Sequence, residues 1–197
     1  MSRLEPKPTL SPADYDGAVG PGKVDTRVVT VGRDGSIGGG VSRELAHQPP
    51  GILHLAVSVQ VVDPAGKWLL QLRADSKAAF AARWANTCCT HPRLGEEPQL
   101  AAIRRVHEEL GLLIADLRPA GVFVYRAVDP ESGLVEHEVD HVFVALAETG
   151  RATTNPDEAS ELARLGYAEA LHLVTSDKGA PWAGEVLRRS FDVLDER

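Results

Sequence analysis

Residues 84–112 read WANTCCTHPRLGEEPQLAAIRRVHEELGL, and this stretch joins a segment of reactive side chains to a well-delimited helix. Pro98 is tolerated in a first helical turn and Gly111 is suited to end a helix, so we predict a helix over Pro98–Leu110. Apolar residues at helical spacing are predicted to face the core: Leu100, Ile103, Val106 and Leu110. Another face carries charges that are ordinarily a solvated network of ion pairs: Arg105, Glu108 and Glu109.

The reactive segment, Trp84–Pro92, contains both cysteines of the chain. Free cysteines are often small buried apolar residues, and we prefer this interpretation for Cys88. Cys89 is left open, because His91 lies two residues further on and the two side chains share a face in extended chain. A thiol in such a place can act as nucleophile, metal ligand or proton carrier.

The length, composition and net charge of the chain limit the class of protein. The chain has 197 residues, 43% of them hydrophobic, and a formal net charge of −7. One globular domain with a sizeable core fits this length. The acidic balance argues against a general nucleic-acid binder or a binder of anionic membranes, so any phosphate site must be a focal cluster of cations.

The sequence shows no sign of export or of membrane insertion. Two adjacent cysteines cannot form a disulfide framework, and the first residues lack the apolar core of a signal peptide. The longest apolar run, Ile52–Val62, is too short to span a bilayer and is interrupted by polar residues. We therefore expect a cytoplasmic protein.

Strand patterns dominate the remaining chain, with turn residues between them. Proline and glycine are dense in residues 1–24, which we predict to be a disordered tail, and residues 25–197 are predicted to form a single domain. An opening hairpin is predicted to turn at residues 33–40. Predicted strands cover Thr26–Val31, Leu53–Val62, Lys67–Leu72, Val122–Arg126, Val135–Leu146 and Leu162–Leu165. The other predicted helices cover Ser42–His47, Ala168–Val174 and Pro181–Leu194.

Two pairs of charged residues stand out in this pattern. Glu136 and Glu138 are two apart in a predicted strand, so their carboxylates share a face. Arg73 and Lys77 lie four residues apart after a strand end, where they can meet an anion. A solvated surface pair is the ordinary interpretation of such cations.

Glu96–Leu112 resembles the Nudix box, a loop–helix–loop whose glutamates hold divalent metal against a diphosphate. Glu96 is followed after seven residues by Arg104, and the segment closes with Glu108-Glu109-Leu110-Gly111-Leu112. The resemblance has two departures: Thr90 takes the place of the leading glycine, and Arg105 takes the place of a glutamate found in the hydrolases. Losing a carboxylate and gaining a cation favours binding of phosphate oxygens over metal-dependent hydrolysis.

These departures, together with Asn86–Pro92, resemble type I isopentenyl diphosphate isomerases, a branch of the Nudix fold. Further motifs of that family follow in order: Ala46-His47, His54-Leu55-Ala56, Arg73–Lys77, Tyr125-Arg126-Ala127 and Gly133–His141. The resemblance extends from about Thr26 to Trp182. It implies an α+β fold, an α/β/α Nudix-like sandwich with a mixed β-sheet core flanked by helices and an N-terminal β-hairpin extension.

The resemblance also implies two metal sites and a set of substrate-binding residues. One divalent ion, Mn²⁺, Zn²⁺ or Mg²⁺, would be held by His47, His54, His91, Glu136 and Glu138. Three imidazoles and two carboxylates suit such an ion, although a single histidine has many other uses. A second ion, Mg²⁺, would bridge Glu109 and the substrate diphosphate. Implied substrate-binding residues are Arg43, Arg73, Lys77, Arg105 and Trp182, the last over the prenyl group unless it is simply a packed helix residue.

The implied reaction converts isopentenyl diphosphate reversibly into dimethylallyl diphosphate, within isoprenoid biosynthesis. It needs one acid–base group on each side of the substrate, because C4 gains a proton while C2 loses one. By resemblance, Glu138 with Tyr125 would deliver the proton and Cys89 would remove one. The implied partner is a small-molecule prenyl diphosphate, and the protein is expected to be a monomer or weak homodimer.

One departure affects the expected pocket wall. The family usually has Trp-Pro-Gly before its Trp-x-Asn element, whereas Phe80-Ala81-Ala82-Arg83 precedes Trp84 here. This departure leaves open an isomerase for another prenyl diphosphate or a related cation reaction. Two further alternatives are a Nudix pyrophosphohydrolase acting on a nucleoside diphosphate derivative and a catalytically silent binding module. Arg105 and the Cys89/Glu138 pair argue against the hydrolase.

Overall fold

A computed structural model describes residues 27–196, so the predicted tail over residues 1–24 lies outside the described residues. Within them the strands are β1 (Arg27–Val31), β2 (Ile37–Ser42), β3 (His54–Val62), β4 (Trp68–Arg73), β5 (Trp84–Ala85), β6 (Cys88–Thr90), β7 (Leu117–Val128), β8 (Val135–Leu146) and β9 (Ala159–Leu165). The helices are α1 (Arg43–His47), α2 (Pro98–Leu110), α3 (Tyr167–Thr175) and α4 (Ala183–Asp195).

Strand β3 lies at the centre of the sheet and is buried along its whole length. It pairs in parallel with β8 from His54 beside Glu138 to Val62 beside Leu146. On its other edge it pairs antiparallel with β6 and β4, while β7 adds to β8 and β9 adds to β4. The parallel pair needs a long crossover, and α2 lies within it. The sheet is therefore mixed, as expected.

The two faces of the sheet have different covers, because successive side chains of a strand point to opposite sides. One face of β3, with Val57, Val59 and Val61, packs against Val106 and Leu110 of α2. The opposite face is covered by α3 and α4, but only toward one end. The uncovered end of that face carries His54 of β3, and this is where the candidate site lies.

Helix α2 begins and ends where the sequence predicts, and Gly111 ends it with a left-handed φ of 64°. The prediction that Leu100 faces the core is wrong, since Leu100 is 45% exposed. At 100° per residue, Leu100 lies about 180° around the helix from Glu109. The buried face contains Glu109 together with Ala101, Ala102, Val106 and Leu110, so burying this carboxylate turns Leu100 outward.

The other differences concern lengths. Strands β5 and β6 are two and three residues long, too short for periodicity to predict them. Strand β9 begins at Ala159 rather than near Leu162, and β7 runs beyond Val122–Arg126 at both ends. The opening hairpin is present as β1 and β2. The expected fold class, a mixed sheet flanked by helices with a hairpin before it, is confirmed.

Among the helices of residues 27–196, none is long and apolar enough to cross a bilayer.

The segment that departs from the family pattern is strained at two residues with positive φ, the buried Phe80 (49°) and Ala82. Ala82 has φ of 52° and is exposed, a conformation in which only glycine avoids a clash of Cβ with the backbone. We expect Ala82→Gly to stabilise the protein by about 1 kcal/mol, a rise in Tm of about 2–4 °C. Ala81→Gly is the matched control, because φ of Ala81 is not positive, and it should lower Tm. Calorimetry that finds Ala82→Gly less stable than the parent would contradict this account.

Candidate active site

A cavity of about 450 Å³ opens at the uncovered end of the sheet. Of the residues implied by resemblance, it is lined by Cys89, His91, Tyr125, Glu136, Glu138, Trp182 and four cationic residues, Arg43, Arg73, Lys77 and Arg105. Its volume is within the range of small-molecule sites. The structure therefore brings acid–base candidates, an aromatic wall and cations together in one cavity.

The five implied metal ligands form one cluster: His47, His54, His91, Glu136 and Glu138, which offer ligand atoms that all lie within 4.8 Å of one another. They come from four places in the chain, namely α1, β3, the residues after β6, and β8. Pairing of β3 with β8 sets His54 beside Glu138, and alternation along β8 puts both glutamates on that face. The cluster is thus a product of strand register.

Backbone carbonyls orient two of the imidazoles toward the cluster centre. His47 Nδ1 lies 2.7 Å from the carbonyl oxygen of Arg43, and His54 Nδ1 lies 2.7 Å from that of Ile52. A carbonyl only accepts, so each Nδ1 must carry a hydrogen, and in the neutral imidazole this leaves the Nε2 lone pair facing the cluster. Metal-binding histidines are commonly fixed in this way. The residues therefore fit a divalent ion.

The carboxylates are held by these same imidazoles. Glu136 Oε2 lies 2.9 Å from His47 Nε2, and Glu138 Oε1 lies 2.9 Å from His91 Nε2. Burial alone would raise the pKa of Glu138, but contacts with His54 and His91 outweigh it and hold that pKa well below its usual value. Burial lowers the pKa of His91 despite its contact with Glu138. An ionised Glu138 beside a neutral His91 is the state of this pair that binds metal.

Strand pairing also separates the two cysteines. Cys88 lies opposite Val59 and Cys89 opposite Ser58, so they point to opposite faces of the sheet. Cys88 is fully buried in the core under α2, whereas Cys89 lines the cavity. Burial, with a smaller effect of Asp140, raises the pKa of Cys89 to about 12, so its sulfur is a thiol at neutral pH.

The aromatic residues connect the acid–base groups. Tyr125 donates its hydroxyl hydrogen to Glu138 Oε2 at 2.6 Å. Trp182 is 4% exposed, its ring centroid is 5.8 Å from that of Tyr125, and Arg73 lies over it at 5.3 Å. Phe80 packs edge-on against Trp182 and does not line the cavity. The departure at Phe80-Ala81-Ala82 therefore lies behind Trp182.

Comparison with known proteins decides the family. The NUDIX domain matches residues 52–189. An isopentenyl-diphosphate Delta-isomerase of Nocardia farcinica is 47% identical over 147 residues, 72% of this chain and 81% of the relative. One of Streptomyces griseus is 47% identical over 166 residues, 84% of each chain. The chain belongs to the isopentenyl-diphosphate Delta-isomerase family within the NUDIX superfamily.

Solved structures agree on the fold. A protein from Deinococcus radiodurans has a TM-score of 0.67 at 19% identity, covering 84% of this chain and 99% of that one. A NUDIX domain from Shewanella oneidensis, solved with ADP ribose, has a TM-score of 0.57 at 14% identity, covering 71% and 87%. The two isomerases reported above confirm the family resemblance drawn from the sequence, and with it the expectation that the protein is an enzyme, an isomerase.

The isomerase-family loop before α2 is fixed by an ion pair. Arg104 donates from Nε and Nη2 to the two oxygens of Glu96, at 2.7 and 2.8 Å. Glu96 Oε2 also accepts from the backbone N–H of Arg93 at 2.8 Å. Two parallel bonds fix geometry as well as charge, so this pair holds the start of the box against the middle of the helix.

Glu109, the implied magnesium ligand, is 4% exposed. Its Oε1 lies 2.7 Å from Arg105 Nε, and its Oε2 is buried with no hydrogen-bond partner. Burial raises the pKa of Glu109 to about 7 even though Arg105 opposes the shift. A buried carboxylate oxygen without a partner fits a hard cation, which compensates its charge.

Further residues contact the site that were not assigned to it from the sequence, among them Ser58, Asn86, Asp140 and Glu158. Asn86 Nδ2 donates to the carbonyls of Val59 and Cys88, which turns Oδ1 toward the Cys89 thiol at 3.3 Å and the Trp182 indole N–H at 3.1 Å. Ser58 donates to Asp140 at 2.7 Å and lies 3.4 Å from Cys89 Sγ. Alternation along β3 and β8 was the available signal for Ser58 and Asp140.

We expect one equivalent of Mn²⁺ to bind this cluster and to raise Tm, because binding to the native state alone stabilises it. Glu136→Gln removes one charged ligand and should weaken Mn²⁺ binding by about tenfold or more. His141→Gln is the control, since His141 lies on the same strand but points to its opposite face. Calorimetric titration measures both. Equal Mn²⁺ affinity in Glu136→Gln and the parent would refute the ligand assignment.

Proposed function

We propose that the protein interconverts isopentenyl diphosphate and dimethylallyl diphosphate by moving a proton to C4 and another from C2. One observation carries the proposal: Cys89 and Glu138, two acid–base groups, face a single cavity that also contains cations for a diphosphate. They stand on β6 and β8, the strands that flank β3 on opposite edges. The names of the two relatives reported above agree with this activity.

The reaction requires opposed acid and base, because protonation of C4 and loss of a proton from C2 occur on opposite faces of the alkene. Glu138 with Tyr125 serves one face and Cys89 serves the other. When Glu138 delivers the proton and Cys89 removes one, each forward turnover ends with a thiol and a carboxylate. The raised pKa of Cys89 and the lowered pKa of Glu138 describe that same distribution, from which the reverse reaction starts.

The aromatic wall protects the positive charge that develops at C3. Trp182 and Tyr125 line the cavity with ring centroids 5.8 Å apart, and an aromatic ring attracts a cation. Tight packing of Phe80 behind Trp182 holds this wall in place. Water would quench a tertiary cation, so a closed apolar wall serves the reaction as well as the binding.

Metal completes the proposed site. When bound, a divalent ion at the His/Glu cluster would keep Glu138 in its acid–base role, and Mg²⁺ at Glu109 would neutralise diphosphate charge. We propose Mn²⁺, Zn²⁺ or Mg²⁺ for the cluster. The cytoplasmic location, the monomeric or weakly dimeric state and the single domain over residues 25–197 stay predictions.

The rival functions have less support. Nudix hydrolysis would need a metal-binding carboxylate at the position where α2 carries Arg105. Arg105 is held there by ion pairs with Glu109 and Glu158. A silent binding module would have no need of Cys89 and Glu138 in one cavity. Another prenyl diphosphate is the nearest alternative, and Phe80 does not favour it because Trp182 separates Phe80 from the cavity.

Cys89→Ala tests the proposal. It should lower the isomerisation rate by about 10³-fold or more, since a proton carrier is lost, while pyrophosphate binding stays within about twofold. NMR of the product mixture and calorimetric titration measure the two quantities. Cys88→Ala is the matched control: it removes a thiol from the core face of the same strand and should keep most of the activity. A Cys89→Ala protein as active as the parent would remove the central assignment.

A further inference from the structure

Glu158 bridges two of the cations expected to bind the substrate diphosphate. Its Oε2 lies 2.5 Å from Lys77 Nζ, and its Oε1 lies 2.5 Å from Arg105 Nη2. The side chain lines the cavity and is about one fifth exposed. Its backbone is held as well, because the Glu158 carbonyl accepts from the N–H of Ala74 at 3.0 Å. The carboxylate therefore occupies a fixed place between the two cations.

Arg105 has little capacity left for a phosphate while Glu158 is in this place. Its three nitrogens each contact a different carboxylate: Nε contacts Glu109 at 2.7 Å, Nη1 contacts Glu108 at 3.3 Å and Nη2 contacts Glu158 at 2.5 Å. A guanidinium binds phosphate best through two parallel N–H groups. Three of the five N–H donors are engaged in this way, so a phosphate that binds Arg105 must compete with these carboxylates.

Carboxylates compensate the cations of this group. Lys77 and Arg105 contribute two positive charges, and they are paired with the carboxylates of Glu158, Glu108 and Glu109. A free diphosphate carries several negative charges, so it gains little on approaching cations that are already paired and must also compete with Glu158. A diphosphate that brings a divalent cation has a lower net charge. Glu109 Oε2, buried and without a partner, is suited to that cation.

We propose that Glu158 is a specificity-determining residue, a carboxylate that occupies the phosphate position between Lys77 and Arg105 and so restricts the site to metal-bearing diphosphates. This inference rests on the proposed function. In the free protein Glu158 holds both cations in place for phosphate oxygens. On binding, the diphosphate takes over these contacts. Free phosphate and metal-free diphosphate bind weakly, because their contacts with Lys77 and Arg105 do not offset the free energy lost when Glu158 is displaced.

Glu158→Gln tests this role, with inorganic pyrophosphate as the probe in calorimetric titrations of the full chain. We expect the parent to bind pyrophosphate in excess Mg²⁺ and to bind it at least about tenfold more weakly in EDTA. Glu158→Gln removes the competing charge and leaves Lys77 and Arg105 uncompensated, so its affinity for pyrophosphate in EDTA should rise about tenfold. Its affinity in excess Mg²⁺ should change by less than about threefold.

Glu108→Gln is the matched control, because Glu108 also pairs with Arg105 and lines the cavity but is more exposed and does not contact Lys77. Its pyrophosphate affinity in EDTA should stay close to that of the parent. Glu158→Ala should raise the affinity for pyrophosphate in EDTA as Glu158→Gln does. Thermal melting checks that every variant is folded.

Three results would overturn the inference. Glu158→Gln could bind metal-free pyrophosphate no better than the parent, which would mean that Glu158 has only a structural role. The parent could bind pyrophosphate equally with and without Mg²⁺, which would remove the selectivity itself. Third, the parent could fail to bind pyrophosphate even with Mg²⁺, which would also contradict the diphosphate site of the proposed function. The first two results would not contradict that function.

Discussion

The parallel register between β3 and β8 is the constraint on which the site depends. It sets His54 beside Glu138, and alternation then decides that Glu136 and Ser58 share their face while Val57 and Val59 face α2. A shift by one residue would exchange the core and site faces of a strand. The hydrophobic core under α2 therefore does two things at once: it stabilises the sheet, and it fixes the metal ligands in one cluster.

The same alternation explains how one dipeptide supplies both a core residue and an acid–base group. Strand β6 is only three residues long, yet its pairing with β3 buries Cys88 beneath α2 and exposes Cys89 to the cavity. Asn86 then orients the Cys89 thiol and the Trp182 indole through one oxygen. Packing and chemistry are thus coupled in this segment, and neither cysteine could take the other's place.

Much of this could be predicted from the sequence, for identifiable reasons. Helix α2 has a proline at its start and a glycine at its end, and β8 has clear alternation, so their bounds were found. Leu100 was misplaced because apolar spacing gives no weight to a carboxylate, and Glu109 takes the buried face. Strands β5 and β6 lack the length for a pattern. Glu158 was missed because its importance lies in contacts with Lys77 and Arg105, 81 and 53 residues away along the chain.

In the proposed reaction Cys89 and Glu138 move protons on opposite sides of one alkene. The most direct test of this reaction is to incubate the protein with Mg²⁺ and isopentenyl diphosphate in deuterated water and to follow the products by NMR. We expect dimethylallyl diphosphate with deuterium in a methyl group, and recovered isopentenyl diphosphate that gains deuterium at C2 through the reverse reaction. Unlabelled, unchanged substrate, or phosphate released by hydrolysis, would contradict the proposed reaction.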